Sequence, residues 1–227
     1  EDKISRADVI DEAIRLRNHG IEAAYLNQMR AMLGDIDIDD VIALGIHGIE
    51  PEFVREMRDL GLDLTVDDVV QMGIHGVEVS FVRQTRDLGL VHLTVDDLVQ
   101  MSIHGVDEDM IAMLSKAGLT DLTADELVQM SIHGVDEDLI DMMRQMDFTG
   151  LSADDLTAMS IHDVTPEFAA EMKAAGYVDL SADDLLRLRV HGVTGDYIEA
   201  LRDAGSADLT VDELIELHSA DPAKNRR

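Results

Sequence analysis

Seven histidines, His19, His47, His75, His104, His133, His162 and His191, follow one another at steps of 28, 28, 29, 29, 29 and 29 residues. Imidazoles held in register are candidate metal ligands. Zn–N bonds are about 2.0–2.1 Å, so two rings sharing an ion must lie within roughly 3–4 Å of each other. Equivalent positions in stacked helical units stand about 10 Å apart, so neighbouring members of this ladder are not expected to share a metal. A structural role is expected instead. A His in the last turn of a helix bonds terminal carbonyls and faces the negative end of the helix dipole. His92 and His218 lie outside the ladder and read as incidental.

The second recurring group is a set of acidic pairs: Asp39–Asp40, Asp67–Asp68, Asp96–Asp97, Asp125–Glu126, Asp154–Asp155, Asp183–Asp184 and Asp212–Glu213. The stretch DIDIDD at 35–40 suggests a calcium loop, but such a loop needs Gly at its sixth place and Glu at its twelfth. Those places hold Asp40 and Ile46. Adjacent helical residues also point about 100° apart, which spoils a shared grip on a cation. Capping and solvation are the expected roles. Divalent-cation binding along an acidic edge, or a structural spacer in a larger bacterial cell-surface protein, is the alternative. Acid–base catalysis needs two carboxylates with separated pKa values in one pocket, whereas every acid here has near-copies elsewhere. Ser/His/Asp and phosphate-loop patterns are missing, and Cys is absent. The chain therefore reads as non-enzymatic, with no catalytic residue, metal site or cofactor.

One position varies between copies: Gln28, Glu56, Gln84, Met113, Met142, Glu171 and Ala200. It lies off the apolar stripe, and the central two copies hold Met, a side chain favoured on adaptable binding surfaces. Met113 and Met142 are thus expected to sit side by side in a partner site rimmed by Arg83, Arg86, Lys116 and Arg144.

The elements that must carry these residues follow from the repeat. GIHGIEPEF, GIHGVEVSF, SIHGVDEDM, SIHGVDEDL, SIHDVTPEF and RVHGVTGDY are copies of one phrase, and a fixed period of this size marks a repeat architecture. Each unit reads as two short helices. The first starts at Asp37, Thr65, Thr94, Thr123, Ser152, Ser181 or Thr210, each with an acid three residues on, the pattern of a capping box. Apolar residues then fall at helical spacing, as in Val66, Val69, Val70 and Ile74. Gly after the His stops the helix, with Asp163 substituting once. The second helix opens near Pro51, Asp107, Asp136, Thr165 or Thr194. It carries a stripe such as Phe53, Val54, Met57 and Leu60, and ends at a Gly or, once, at Asp147. The expected fold is an all-α solenoid, one domain over 1–220. Its seven two-helix units are 1–34, 35–62, 63–91, 92–120, 121–149, 150–178 and 179–207, with a half unit at 208–220 and a flexible tail at 221–227.

The units resemble a short bacterial helical repeat of the pattern GVTPEFI…ALGY…LSADDLI.LRIH. The closest copy is DVTPEFAAEMKAAGYVDLSADDLLRLRVHGVT at 163–194. Such repeats are appended to membrane-associated bacterial proteins, including some that resemble antibiotic-sensing zinc peptidases. The resemblance covers nearly the whole chain and implies the helical repeat fold and a bacterial source. It implies no peptidase activity, because that needs an HExxH pair and each ladder His is followed by Gly or Asp.

Charge bounds the partners. There are 48 Asp and Glu against 18 Lys and Arg, a formal net charge of −30. Phosphate backbones and anionic membranes are therefore poor partners, and a protein with a basic patch is a good one. Only four of the cations are Lys, a composition that adaptation to high salt also produces. Hydrophobic residues make up 46%, too many for a disordered acidic tail, and aromatics only 3%, so the core must be aliphatic and Met-filled. No apolar run approaches the roughly 18 residues of a membrane span. A monomer is expected. The chain opens at Glu1, as a processed product or an excised segment would.

Overall fold

The computed structural model describes residues 6–87, 89–90, 92–206 and 208–220. It contains fifteen α-helices and, among the described residues, no strand. The first helices of the units are α1 (Arg6–Asn18), α3 (Ile38–Ile46), α5 (Val66–Ile74), α7 (Val95–Ile103), α9 (Ala124–Ile132), α11 (Ala153–Ile161) and α13 (Ala182–Val190). The second helices are α2 (Ala23–Leu33), α4 (Pro51–Asp59), α6 (Val79–Asp87), α8 (Glu108–Lys116), α10 (Glu137–Gln145), α12 (Pro166–Ala174) and α14 (Gly195–Asp203). The unpaired α15 (Val211–Ala220) follows. The chain is thus an all-α repeat solenoid of seven helix pairs and one extra helix. The Ser5 cap expected for α1 and the tail at 221–227 lie outside the described residues.

Contacts group the chain into two compact units, Glu1–Val128 and Gln129–Arg227. In the first, α1 packs on α3, α3 on α5 and α5 on α7, while α2 packs on α4, α4 on α6 and α6 on α8. In the second, α10 packs on α12, α12 on α14 and α13 on α15. Like helices stack on like helices within each unit, which builds two parallel ladders with an apolar seam between.

Helices α3 to α14 have nine residues each, and isolated helices below about 12–15 residues are marginal in water. Their ends decide whether they form. Asp37, Thr65, Thr94, Ser152 and Ser181 each make a complete capping box with Asp40, Asp68, Asp97, Asp155 and Asp184. Thr123 with Glu126 and Thr210 with Glu213 exchange the same bonds. Those bonds hold the Glu213 carboxyl below its ordinary pKa, chiefly through the Thr210 N–H and then its hydroxyl. At the other end, Gly48 stands at φ +67°. The Ile49 N–H donates to the Leu44 carbonyl and the Gly48 N–H to the Gly45 carbonyl, the paired bonds of a Schellman stop. Asp163 and Asp147 adopt the same left-handed backbone at φ +57° and +55°, which short polar side chains tolerate.

The core of the first helices from α3 to α13 is a pair three residues apart, such as Val69 with Met72, Leu98 with Met101, Leu156 with Met159, and Leu185 with Leu188, all essentially inaccessible. Second helices bury Val54 and Met57, Met110, Ile111 and Leu114, or Phe168, Ala169 and Met172. Thr85 takes the place of a core Met, and its hydroxyl donates to the Val82 carbonyl at 2.8 Å. Ile74, expected in the apolar stripe, is 49% exposed. It lies about 200° around the helix from Met72, at 100° per residue, so a core built on Val69 and Met72 turns it outward.

Successive first helices meet at one position, held by Gly or Ser up to residue 160 and by Arg189 and His218 in the last two helices. A Cβ on Gly73 would lie 2.3 Å from Ile49 Cδ1, and one on Gly45 would lie 3.0 Å from Ile21 Cδ1. Where the earlier unit has Val77 in place of Ile, the later has Ser102, whose hydroxyl donates to the His75 carbonyl at 2.6 Å. Val135 is matched likewise by Ser160, which donates to the His133 carbonyl at 2.6 Å. Ile is matched with Gly by shape, and where the earlier residue is Val the later Ser bonds the ladder-histidine carbonyl.

A double-mutant cycle in urea tests this pairing. Gly73→Ser alone is expected to cost about 1–3 kcal/mol by overpacking, and Ile49→Val alone about 0.5–1.5 kcal/mol. The double variant should recover about 1–2 kcal/mol relative to their sum, and strict additivity would show that the two positions are independent.

Tyr25 supplies a pH test. Its hydroxyl donates to the Ile49 carbonyl at 2.7 Å. Its pKa is raised from 10.0 to about 12, first by burial and then by Glu50. A raised folded pKa means that this contribution to stability is complete below the unfolded value of 10.0 and is lost as pH climbs towards about 12. Denaturation midpoints across that range should therefore fall more steeply for the wild type than for Tyr25→Phe. Parallel slopes for the two proteins would refute it.

Candidate interaction surface

The ladder histidines act through their main chain. His47, His75, His104, His162 and His191 are the C-cap residues of α3, α5, α7, α11 and α13, and each donates its N–H to the carbonyl four residues back. Their carbonyls are taken up by the following helix: His75 by Ser102, His133 by Ser160 and His162 by the Arg189 guanidinium at 3.2 Å. Arg189 also reaches Asp163 and lies 5.1 Å from the Phe168 ring centre. The imidazoles of His19, His47, His162 and His191 are exposed, and those of His75, His104 and His133 are half-buried. Among the described residues no three His, Asp or Glu side chains form a metal-holding group. His218, read from sequence as incidental, is buried at 4% exposure and stacks edge-on against Tyr197 with ring centres 4.6 Å apart. It occupies the register position of Gly73 and Ser102, where the last helix closes the stack.

The expected patch around Met113 and Met142 loses its apolar centre. Met142 is only 3% exposed. It lines a groove with Pro166 and Ala169 of the next second helix, and Met113 is half-buried. The variable position faces the neighbouring second helix: Glu56 holds Arg83 at 3.2 Å, and Glu171 accepts from the N–H of Gly195 at the start of α14. Met142 instead lines a groove with Pro166, whose first-turn nitrogen has no hydrogen to offer. Of the expected rim, Arg83 is paired with Glu56, Arg144 with Asp141, and Arg86 lies 3.6 Å from the position of a Cβ on Gly61. Lys116 is exposed.

A different surface emerges from the first helices. Within each capping box the second acid is consumed by the cap, while the first points to solvent. Asp67, Gln71 and Ile74 are exposed at spacing i, i+4 and i+7, one face of α5, and Asp96, Gln100 and Ile103 repeat this on α7. Ile46, Ile74 and Ile103 are 63%, 49% and 48% exposed in the first compact unit, and Ile132, Ile161 and Val190 are about half exposed in the second. Asp39 is paired with Arg15. Among the described residues neither Asp67 nor Asp96 has an ion-pair partner. Seven residues at 1.5 Å separate Asp67 from Ile74 by about 10.5 Å along the helix. The unit therefore presents a row of isoleucines and, parallel to it, a row of carboxylates. Sequence reasoning missed the isoleucine row. The signal was the unbroken Ile-His dipeptide from 46 to 162, at a position out of phase with the Met72-type core.

No known protein family, curated protein or solved structure matches the chain.

Paired substitutions check the partition of the helix. Ile74→Ser should change the unfolding free energy by no more than about 0.5 kcal/mol, as for other surface sites. Met72→Ala, two residues away, should cost about 2–5 kcal/mol. A comparable loss at both positions, read by urea unfolding, would place Ile74 in the core.

Proposed function

We propose that this chain is a non-enzymatic protein-interaction scaffold whose acidic surface receives a partner bearing a basic patch. The observation that carries the reading is the unpaired acid in the first turn of successive helices, Asp67 and Asp96, exposed while its neighbour caps the helix. Capping needs one acid per helix, and the chain supplies two. The surplus adds to a net charge of −30, which raises encounter rates with basic surfaces and repels acidic ones. Surface pairs of this kind steer and select more than they stabilise. The solenoid supplies a long stack in which the same feature recurs.

Selection from a displayed library of random peptides tests this. Binders should be enriched in Lys and Arg, and their Kd should rise at least about tenfold between roughly 50 and 500 mM NaCl as the Debye length shrinks. Enrichment of neutral sequences with salt-independent affinity, or no enrichment, would overturn the reading.

A further inference from the structure

The geometry points to a defined docking surface in the first compact unit: the Ile46–Ile74–Ile103 row with its flanking Asp67 and Asp96 takes an amphipathic α-helix that is apolar along one seam and basic along one flank. This inference rests on the scaffold reading above and specifies its site.

Three features select that occupant. The first is the isoleucine row itself. Neither the core nor the caps use these side chains. Asp67 and Ile74 fall on the same exposed helical face, so a partner that covers one row lies beside the other. The second is spacing. Stacked helices lie about 8–10 Å apart, and one heptad of a helix rises about 10.5 Å. A helix laid across α3, α5 and α7 therefore returns an apolar residue to each successive isoleucine. A β-strand covering the same distance uses three residues and turns successive contacts to opposite faces. The third is width and charge. The two rows run about 10.5 Å apart, and a helix with its side chains is about 10–12 Å across, wide enough to bury its seam on the isoleucines while Lys or Arg on one flank meets the carboxylates. Gln71 and Gln100 fill the space between with neutral polar groups. In the second compact unit the corresponding face of α13 carries Arg187, tied to Asp212. That face is therefore less acidic, and the proposal is confined to α3, α5 and α7.

The test is a fluorescence-anisotropy titration of the full chain with synthetic peptides of about three heptads. One has Leu at every seventh position and Lys on one flank. A second has the same composition scrambled, and a third has a central proline. Ile74→Ser/Ile103→Ser and Asp67→Asn/Asp96→Asn are compared with the wild type, with far-UV circular dichroism verifying that each folds. Because all four positions are exposed, these variants should remain helical. Ile161→Ser serves as a control in the second unit. The proposal expects the heptad peptide to bind at least about tenfold more tightly than either other peptide. It expects the isoleucine variant to lose at least about tenfold in affinity. The Asn variant should lose affinity and show a flatter salt dependence, and Ile161→Ser should bind as the wild type does. Equal binding of heptad and scrambled peptides, with the isoleucine variant unaffected, would sink the ladder site while leaving the basic-partner reading intact. Equal binding of the proline peptide would replace the helix with an extended occupant. Failure of every basic peptide to bind would remove the scaffold reading as well. Sedimentation showing a wild-type dimer that Ile74→Ser/Ile103→Ser dissociates would assign the face to a second copy of the chain and overturn the proposal.

Discussion

A nine-residue helix has more unsatisfied backbone groups at its ends than hydrogen bonds in its middle. Four N–H groups at one end and four C=O groups at the other have no internal partner, and α3 to α14 all have this length. The structure is organised around that shortage. At the start, a hydroxyl or Asp cap and an acid three residues on satisfy two donors reciprocally. At the finish, a left-handed Gly or Asp folds the chain back so that two N–H groups reach the last carbonyls. Of the two carbonyls left, that of His75, His133 or His162 is met from outside by Ser102, Ser160 or Arg189 of the next first helix. At these junctions one unit completes the end of the unit before it, which makes stability a property of neighbours rather than of single repeats.

The same shortage sets the surface. Every first helix must begin with acids and end close to an apolar stop, so each is a short rod with a negative end and a greasy end. Stacking rods of the same polarity turns ends into rows. Capping accounts for Asp68 and Asp97 but not for Asp67 and Asp96, and the Schellman stop accounts for Val77 but not for Ile74. The unexplained members are the exposed ones. A solvent-facing isoleucine that recurs at one register position is a larger apolar surface than scattered single residues make, and contiguous patches of that kind mark interaction sites.

Local chemistry was legible in the sequence, and direction was not. The caps from Asp37 to Thr210, the left-handed stops at Asp147 and Asp163 and the pairing of helices all follow from residues within a few positions of one another. Ile74 was misplaced because apolar character and approximate spacing put it on the stripe, while the phase of this nine-residue helix is set by its fully buried residues, Val69 and Met72. Met142 was misplaced for the converse reason. Its position is off the stripe of its own helix but faces the next one, and what it meets there is Pro166. The His ladder drew attention to imidazoles, whereas at His75, His133 and His162 the main-chain carbonyl takes the contact from the next first helix, which no side-chain pattern announces.

The contact between successive first helices shows how such information is nonetheless written. Ile21 with Gly45 and Ile49 with Gly73 fill the space with a methyl group, so a Cβ on either glycine would require the isoleucine tip to shift. Val77 with Ser102 and Val135 with Ser160 shorten one side chain and fill the vacated space with a hydroxyl that has an acceptor waiting. Mixing the two solutions fails in both directions. Ser opposite Ile is overpacked. Gly opposite Val leaves a void and a helix-end carbonyl short of its partner. Helices from the two kinds of junction therefore cannot be exchanged freely, although their sequences differ little. This pairing distinguishes one kind of junction from the other through steric fit, while the exposed acid and isoleucine positions repeat without regard to it. The interior thus separates the two kinds of junction, while the face of α5 repeats on α7 with the same exposed Asp, Gln and Ile.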